Sequence, residues 1–415
     1  MKVLFVGDAV VSSGFARCTH AACDALHAAG HEVAVLGINY HGDPHSYPYP
    51  IYPCHQPLDH GRDGFGTTRL PYMIHRLNPD IVVLLNDPWN IPAYIAHLKD
   101  TLSEDFPLPA LVGWLAVDGN NQQGHACNDL DHIVTWTQHA QDELVRGGCH
   151  VPMSIVTLGV DHSLFQPHDK AAARYRVLGQ FAEQVGDAFI VGAIGRNQYR
   201  KRLDLTIQYF AEWYHRDHPN AYLYLHVGPT GDTGADLRSL ISYYKVGGRV
   251  MEATVPIGSG AVESIMPDIY SMLDVYVTTS QGEGFGLPCL EAMACGVPCI
   301  VPAWSALSEW PRGAVVIVPC TSTALTAPTN GRLHTVGGIA DKREFINALS
   351  AMCKSEIHRA TYSQRGKRRA ADFSWENTGR RFVSVLERLT VEPRVAGDLG
   401  KPRNPPPVAE EVANG

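Results

Sequence analysis

Two glutamates eight positions apart, Glu283 and Glu291, flank a turn in which Gly282, Gly284 and Gly286 place three glycines within five residues. The preceding run at 275–279, Val-Tyr-Val-Thr-Thr, reads as a buried strand that ends at the first glycine. Glycines let the backbone turn sharply and approach a ligand closely. Pro288 suits the first turn of a following helix, where its missing N–H costs nothing. Gly296 and Pro298 then close that helix. The backbone amides of Phe285, Gly286 and Leu287 would point out of its positive end, ready for an anion. Glu283 falls in the loop, and Glu291 about one turn into the helix with its side chain tilted back toward the start. Carboxylates there repel phosphate but accept hydrogen bonds from hydroxyls. The ligand that fits carries both phosphate and sugar.

Three further segments place chemistry at the ends of apolar runs. In Gly195-Arg196-Asn197-Gln198-Tyr199-Arg200-Lys201, an arginine follows a strand-ending glycine and a lysine stands five residues later at a helix start. Its plain reading is a solvated basic turn. Between the first strand and first helix, Ser13-Gly14 can offer amides at a helix end and Arg17 can face a cleft. This loop is not GxGxxG, so it carries no dinucleotide fingerprint. Asp118-Gly119 follows a strand and reads either as a simple turn or as a carboxylate placed beside a substrate. Asn86-Asp87-Pro88-Trp89 likewise reads as acceptor lining or as an Asx turn with an N-cap.

The elements that must hold these residues alternate strand-like and helix-like, which predicts an α/β fold with parallel sheets. In the first half, strands are expected at 2–6, 32–36, 81–85, 110–114 and 133–135, with a helix at 15–29. In the second, a strand opens at 189, helices follow at 203–214 and 237–244, and strands at 222–227, 249–251 and 299–301. Residues 40–69, rich in His, Pro, Tyr and Gly, read as a long irregular loop, and residues 164–184 as the link between halves. At 415 residues the chain exceeds one ordinary core. A net charge of −8 argues against a general nucleic-acid binder. No apolar run is long enough to span a membrane, and residues 1–7 read as a strand rather than a signal segment. The ten cysteines contain no CxxC and read as buried, reduced thiols of a cytoplasmic protein. No histidine spacing resembles a metal site, and His215-Arg216-Asp217-His218 reads as an exposed helix end.

The stretch from Gln281 to Pro298 closely resembles the Glu-x7-Glu motif of the retaining GT-B glycosyltransferases, in particular the GT4 family. The resemblance implies two Rossmann-like domains facing a cleft: residues 1–165 on the acceptor side and 185–372 holding the nucleotide sugar. A C-terminal helix at 373–390 would be able to cross back to the first domain, and 391–415 would form a flexible tail. It further implies that Glu283 faces the transferred sugar, Glu291 the ribose, and Phe285, Gly286 and Leu287 the phosphate region. Arg196 and Lys201 match the family's cations for the donor diphosphate, whose growing negative charge they would stabilise. Arg202 departs from the family, which usually has glycine after the lysine. Ser13 and Gly14 match a small-residue loop near donor and acceptor, and Asp118 the place of a polar residue near the reacting carbon. The Gly159-Val160-Asp161…Phe165-Gln166-Pro167 segment also matches and reads as architecture at the domain junction. The likeness is sharp from about residue 135 to 301 and weaker before. It implies hexose transfer from a nucleotide diphosphate sugar, UDP-sugar favoured, without metal or cofactor. The acceptor stays open among a saccharide, a lipid-linked sugar, a protein hydroxyl and a hydroxylated nucleobase in DNA. An epimerase on the same fold, or a non-catalytic sugar-nucleotide binder, is the alternative.

Overall fold

The structure, a computed structural model, describes residues 1–54, 63–217, 219–227, 234–254, 263–326 and 335–401. Its β-branched apolar runs pair side by side in the same direction, as right-handed strand–helix–strand crossovers require. The first sheet has seven strands in the order Ile51–Pro53, Glu32–Ile38, Lys2–Asp8, Ile81–Asn86, Ala110–Leu115, His132–Thr135 and Met153–Ile155, all parallel. The second has six parallel strands: Val250–Thr254, Ala221–Val227, Phe189–Gly195, Val275–Val277, Cys299–Pro302 and Val316–Val318. Both sheets therefore run outward in opposite directions from a central strand pair. In such sheets ligands bind beyond the strand ends at that reversal. In the first sheet the reversal exposes the loops after Asp8 and Asn86; in the second, those after Gly195 and Val277.

Three apolar clusters make the interior. One covers the outer face of the first sheet, one the outer face of the second, and the third joins the halves through the inner helices. Helix Trp375–Glu387, capped by Ser374 accepting from the Asn377 amide at 3.2 Å, lies on helix Gly14–Ala28 of the first half. Its Phe382 is fully buried and stacks on Trp114 with ring centroids 4.4 Å apart.

Four segments carry structure that the composition does not signal. The chain after residue 390, expected to be a flexible tail, stays packed as far as it is described. Arg394 pairs with the buried carboxylate of Asp131 at 2.8 Å, and Leu399 has no exposed surface. A buried acid needing a cation and an apolar side chain outweigh the polar, proline-bearing composition. Residues 402–415 lie outside the described residues, as does His218. The presumed link at 164–184 contains helix Lys170–Leu178, whose Arg174 is buried and satisfied by the carbonyls of Met272 and Ala188 and by Asp274. Within 40–69, strand Ile51–Pro53 completes the sheet edge; residues 55–62 of that loop are not described. An antiparallel hairpin, Cys320–Leu325 with Val336–Ala340, had no counterpart in the sequence reading. All ten cysteines are free thiols, and no helix among the described residues is long and apolar enough to cross a membrane.

Because Phe382 fills the seam between the last helix and the first sheet, Phe382→Ala is expected to cost about 3–5 kcal/mol. Thermal melting checks this, and an unchanged midpoint would show that Phe382 does not anchor the last helix to the first sheet.

Candidate active site

The glycine turn forms as its residue types dictate. Gly286 takes φ 92, which glycine alone adopts freely, and caps helix Leu287–Ala294 with Pro288 in its first turn. Phe285 turns its ring inward onto Trp310, 5.0 Å away and nearly parallel, and its carbonyl accepts from the Trp310 indole at 2.7 Å. The loop is thus pinned from below by Trp310. Gly14 of the first half approaches Leu287 of the second so closely that an added Cβ would lie 3.3 Å from it. Ser13 caps helix Gly14–Ala28 through the Ala16 amide at 3.0 Å, and its hydroxyl donates to Asp8 at 2.7 Å.

The four expected donor-side residues divide into two groups. Glu283 is 8% exposed and accepts from Lys201 Nζ at 2.5 Å and from Arg200 at 3.3 Å. Burial alone would hinder its ionisation, but Lys201 and Arg200 outweigh it and hold the carboxyl below its usual range. Arg196 lines the same crevice as Lys201 and Glu283 and acts electrostatically on Asp8 of the first half. Glu291 sits apart. One of its oxygens takes Arg17 of the first half and the other the Tyr270 hydroxyl at 2.6 Å. Arg17 also pairs with Glu263 at 2.9 Å.

Asp118 is drawn into the first group rather than serving only as a turn. Its carboxylate meets Arg200 Nε at 2.9 Å, and Arg200 also donates to the Gly282 carbonyl at 2.9 Å. The two halves touch here so closely that a Cβ on Gly282 would lie 1.6 Å from the Asp118 carbonyl oxygen. Only glycine fits. Arg202, at the family's usual glycine position, adopts the left-handed conformation a glycine would, with φ 49. That conformation costs about 1–2 kcal/mol for a residue with a Cβ. Its guanidinium pairs with Asp204 at 2.9 Å, and its carbonyl accepts from Thr279 at 2.7 Å, which offsets the strain.

Several site residues escaped the sequence reading. Arg200 bridges Asp118 and Glu283, yet it lies in a run of three cations whose facing a short turn decides. Tyr270 and Ser305, the latter exchanging hydrogen bonds with the Glu283 backbone at 2.9 and 3.1 Å, stand in segments that carry no sequence motif. Asp87 was read either as acceptor lining or as a cap. It does not cap the turn Pro88–Asn90. Instead its carboxylate takes the Trp89 side chain and faces Asp118, Arg200 and Asp8, and burial followed by Asp118 raises its pKa to about 7.

Two facing doubly wound sheets, with this cleft between their reversals, make the GT-B fold. Residues 188–353 match the family model described as glycosyl transferases group 1, and residues 12–164 that of Glycosyltransferase Family 4. The chain belongs to the GT4 glycosyltransferases. A D-inositol 3-phosphate glycosyltransferase of Rhodococcus jostii (strain RHA1) is 26% identical over 362 residues, which cover 81% of this chain and 73% of that one. Sucrose-phosphate synthase from Thermosynechococcus elongatus superposes with a TM-score of 0.69 at 18% identity, over 94% of this chain and 99% of that one. Anabaena Alr3699/HepE in complex with UDP-glucose gives 0.68 at 16% identity, over 94% and 100%. These structural likenesses bear on the fold.

The raised pKa of Asp87 has a consequence for stability. Its carboxyl holds a proton more tightly folded than unfolded, where it would titrate near about 4. Its contribution is therefore full below about pH 4 and is lost as pH rises toward 7. Asp87→Asn removes that loss. Between pH 4 and 7 the variant's melting temperature is expected to gain on that of the wild type, and parallel curves would show that Asp87 binds no extra proton.

Proposed function

We propose that the protein is a retaining, metal-independent hexosyltransferase that uses a nucleotide diphosphate sugar, UDP-sugar favoured, and delivers the sugar to an acceptor hydroxyl. The observation that carries this reading is the convergence at one crevice of Arg196, Lys201 and Glu283, with Arg200 behind them, at the reversal of the second sheet. A departing nucleoside diphosphate gains negative charge as the glycosidic bond breaks. Fixed cations at that point favour the transition state over the ground state and cost no reorganisation. The same cations supply the charge that a metal would otherwise bring.

Each remaining residue takes a role from its placement. Glu283, held by Lys201, accepts hydrogen bonds from hydroxyls of the transferred hexose. Glu291, oriented by Arg17 and Tyr270, accepts from the ribose diol. The amides of Phe285, Gly286 and Leu287, together with Ser13 and Gly14 across the cleft, meet the phosphates and the sugar. With attack on the face that the leaving group departs from, a donor phosphate oxygen takes the acceptor proton. Asp118 then need only orient the acceptor. UDP is favoured because the similar HepE structure holds UDP-glucose. Location in the cytoplasm remains part of the same proposal.

Removing a carboxylate that binds hydroxyls costs about 1.5–3 kcal/mol. Glu291→Ala is therefore expected to weaken UDP binding more than tenfold by calorimetry, while Glu283→Gln lowers turnover of UDP-sugar with UDP affinity largely kept. Equal donor affinity and activity in both variants refute the role assignment. Isomerised sugar formed from UDP-sugar alone would favour an epimerase instead.

A further inference from the structure

Two large aromatic side chains stand exposed beside the cleft on the first half: Trp89, in the segment whose sequence allows acceptor lining, and Phe65, to which no role has been given. Trp89 is 42% and Phe65 is 38% exposed, and their rings meet edge to face with centroids 5.8 Å apart. Each ring is anchored by partly buried hydrogen bonds. Asn86, buried at the end of its strand, accepts from the Asp87 amide at 2.9 Å and from Asn90 at 3.0 Å, which fixes the turn bearing Trp89. The Asn86 amide donates to Tyr94 at 3.2 Å, and the Tyr94 hydroxyl donates to the Phe65 carbonyl at 2.7 Å. The loop carrying Phe65 is further wound around Asp63, whose carboxylate accepts from the amides of Thr67 and Thr68 at 3.0 and 2.7 Å. One buried polar lattice therefore holds both exposed rings in register.

The indole is also tied to the chemistry. Its side chain hydrogen-bonds Asp87, which faces Asp118 and Arg200. An apolar ledge thus continues directly into carboxylates. That pairing suits a ligand whose one face presents C–H groups and whose rim presents hydroxyls. The C–H face rests on the electron-rich ring surface, and the hydroxyls donate to acidic oxygens. The chain's net charge of −8 opposes a phosphodiester chain at long range.

We propose that Trp89 and Phe65 form the acceptor subsite and that it takes the pyranose ring of a saccharide, whose reacting hydroxyl is handed to Asp118. The inference rests on the transferase reading and names the substrate class of the same cleft. Saturation-transfer NMR on the full chain, with and without UDP, tests it using methyl α-D-glucopyranoside, methyl α-D-mannopyranoside and methyl α-D-galactopyranoside as probes. At least one pyranoside is expected to receive saturation at its ring C–H protons, with affinity lowered about tenfold in Trp89→Ala and partly restored in Trp89→Phe. Tyr243→Ala, which removes an exposed ring of the second half, is expected to leave that affinity unchanged. Phe65→Ala provides an independent loss should Trp89→Ala not fold. No saturation of any pyranoside by the wild type, or equal affinity in the wild type, Trp89→Ala and Phe65→Ala, overturns the proposal. So does sugar transfer to hydroxymethylated DNA or a serine peptide that no pyranoside competes with. UDP binding by the wild type, followed in the same samples, separates the two failures. A protein that binds UDP but no pyranoside loses only the subsite, whereas one that binds no UDP loses the donor reading.

Discussion

A guanidinium largely withdrawn into a seam must find enough acceptors to replace the water it loses, or it destabilises what surrounds it. Arg200 is that group here. Burial works against its charge, yet Asp118, Glu283 and Asp87 outweigh the cost and raise its pKa. Its partners come from both halves: Asp118 from the first, the Gly282 carbonyl and Glu283 from the second. The distance between the two sheets at the cleft floor is therefore set by the span of one side chain. That constraint explains why position 282 has no side chain, since the backbone must come against the Asp118 carbonyl for the contacts to close. It also explains the glycine-like fold of Arg202, because the turn that presents Arg200 and Lys201 must end abruptly before helix Leu203–Asp217 begins.

A second bridge, 291 to 17, works under different rules. Glu291 has two oxygens, and each already has a partner of fixed direction, Arg17 on one and Tyr270 on the other. A carboxylate so held keeps one free lone-pair site on each oxygen. The side chain is thereby oriented without being saturated. The price is an arginine of the first half committed to a residue of the second, so that pair must break if the halves separate there. Glu263 on the other side of Arg17 adds a second contact between the halves through the same guanidinium.

How much of this was legible follows from how local each feature is. The strand, glycine turn, proline and both glutamates lie in one continuous run, so spacing alone placed Glu283 in the loop and Glu291 in the helix. Lys201 and Arg196 were legible for the same reason. Arg200 was not, because three adjacent cations are equivalent until a turn decides which faces inward. Tyr270 was hidden because its hydroxyl partner lies 21 residues away across a helix pair. The packed segment after residue 390 was misread for a related reason. Arg394 reaches Asp131 from 263 residues along the chain, and no composition rule signals a partner that distant. The hairpin at 320–340 pairs with Asn120 of the first half through Val336, again a contact that only the assembled fold defines.

The loop after the first strand shows strain kept in place by such distant contacts. Val10 is β-branched yet takes φ 63, where its Cβ crowds the backbone. Such a conformation persists only where the surroundings hold it. Its amide donates to His20 Nε2 at 3.1 Å, so that nitrogen must be unprotonated. The other ring nitrogen faces the Tyr49 hydroxyl at 3.0 Å, and Tyr49 in turn donates to Asp24 at 2.9 Å. Each link has one possible direction once the last acceptor is a carboxylate. Burial first and nearby His45 second lower the His20 pKa to about 4, so the imidazole stays neutral in the range where the relay needs it neutral. Tyr47 stacks on the same imidazole at 3.6 Å and fixes its plane. The turn that leads to Ser13 and Gly14 is thus shaped by residues from the irregular loop at 40–69. That segment, the least periodic in the first half, sets the backbone of a loop that faces the second half across the cleft.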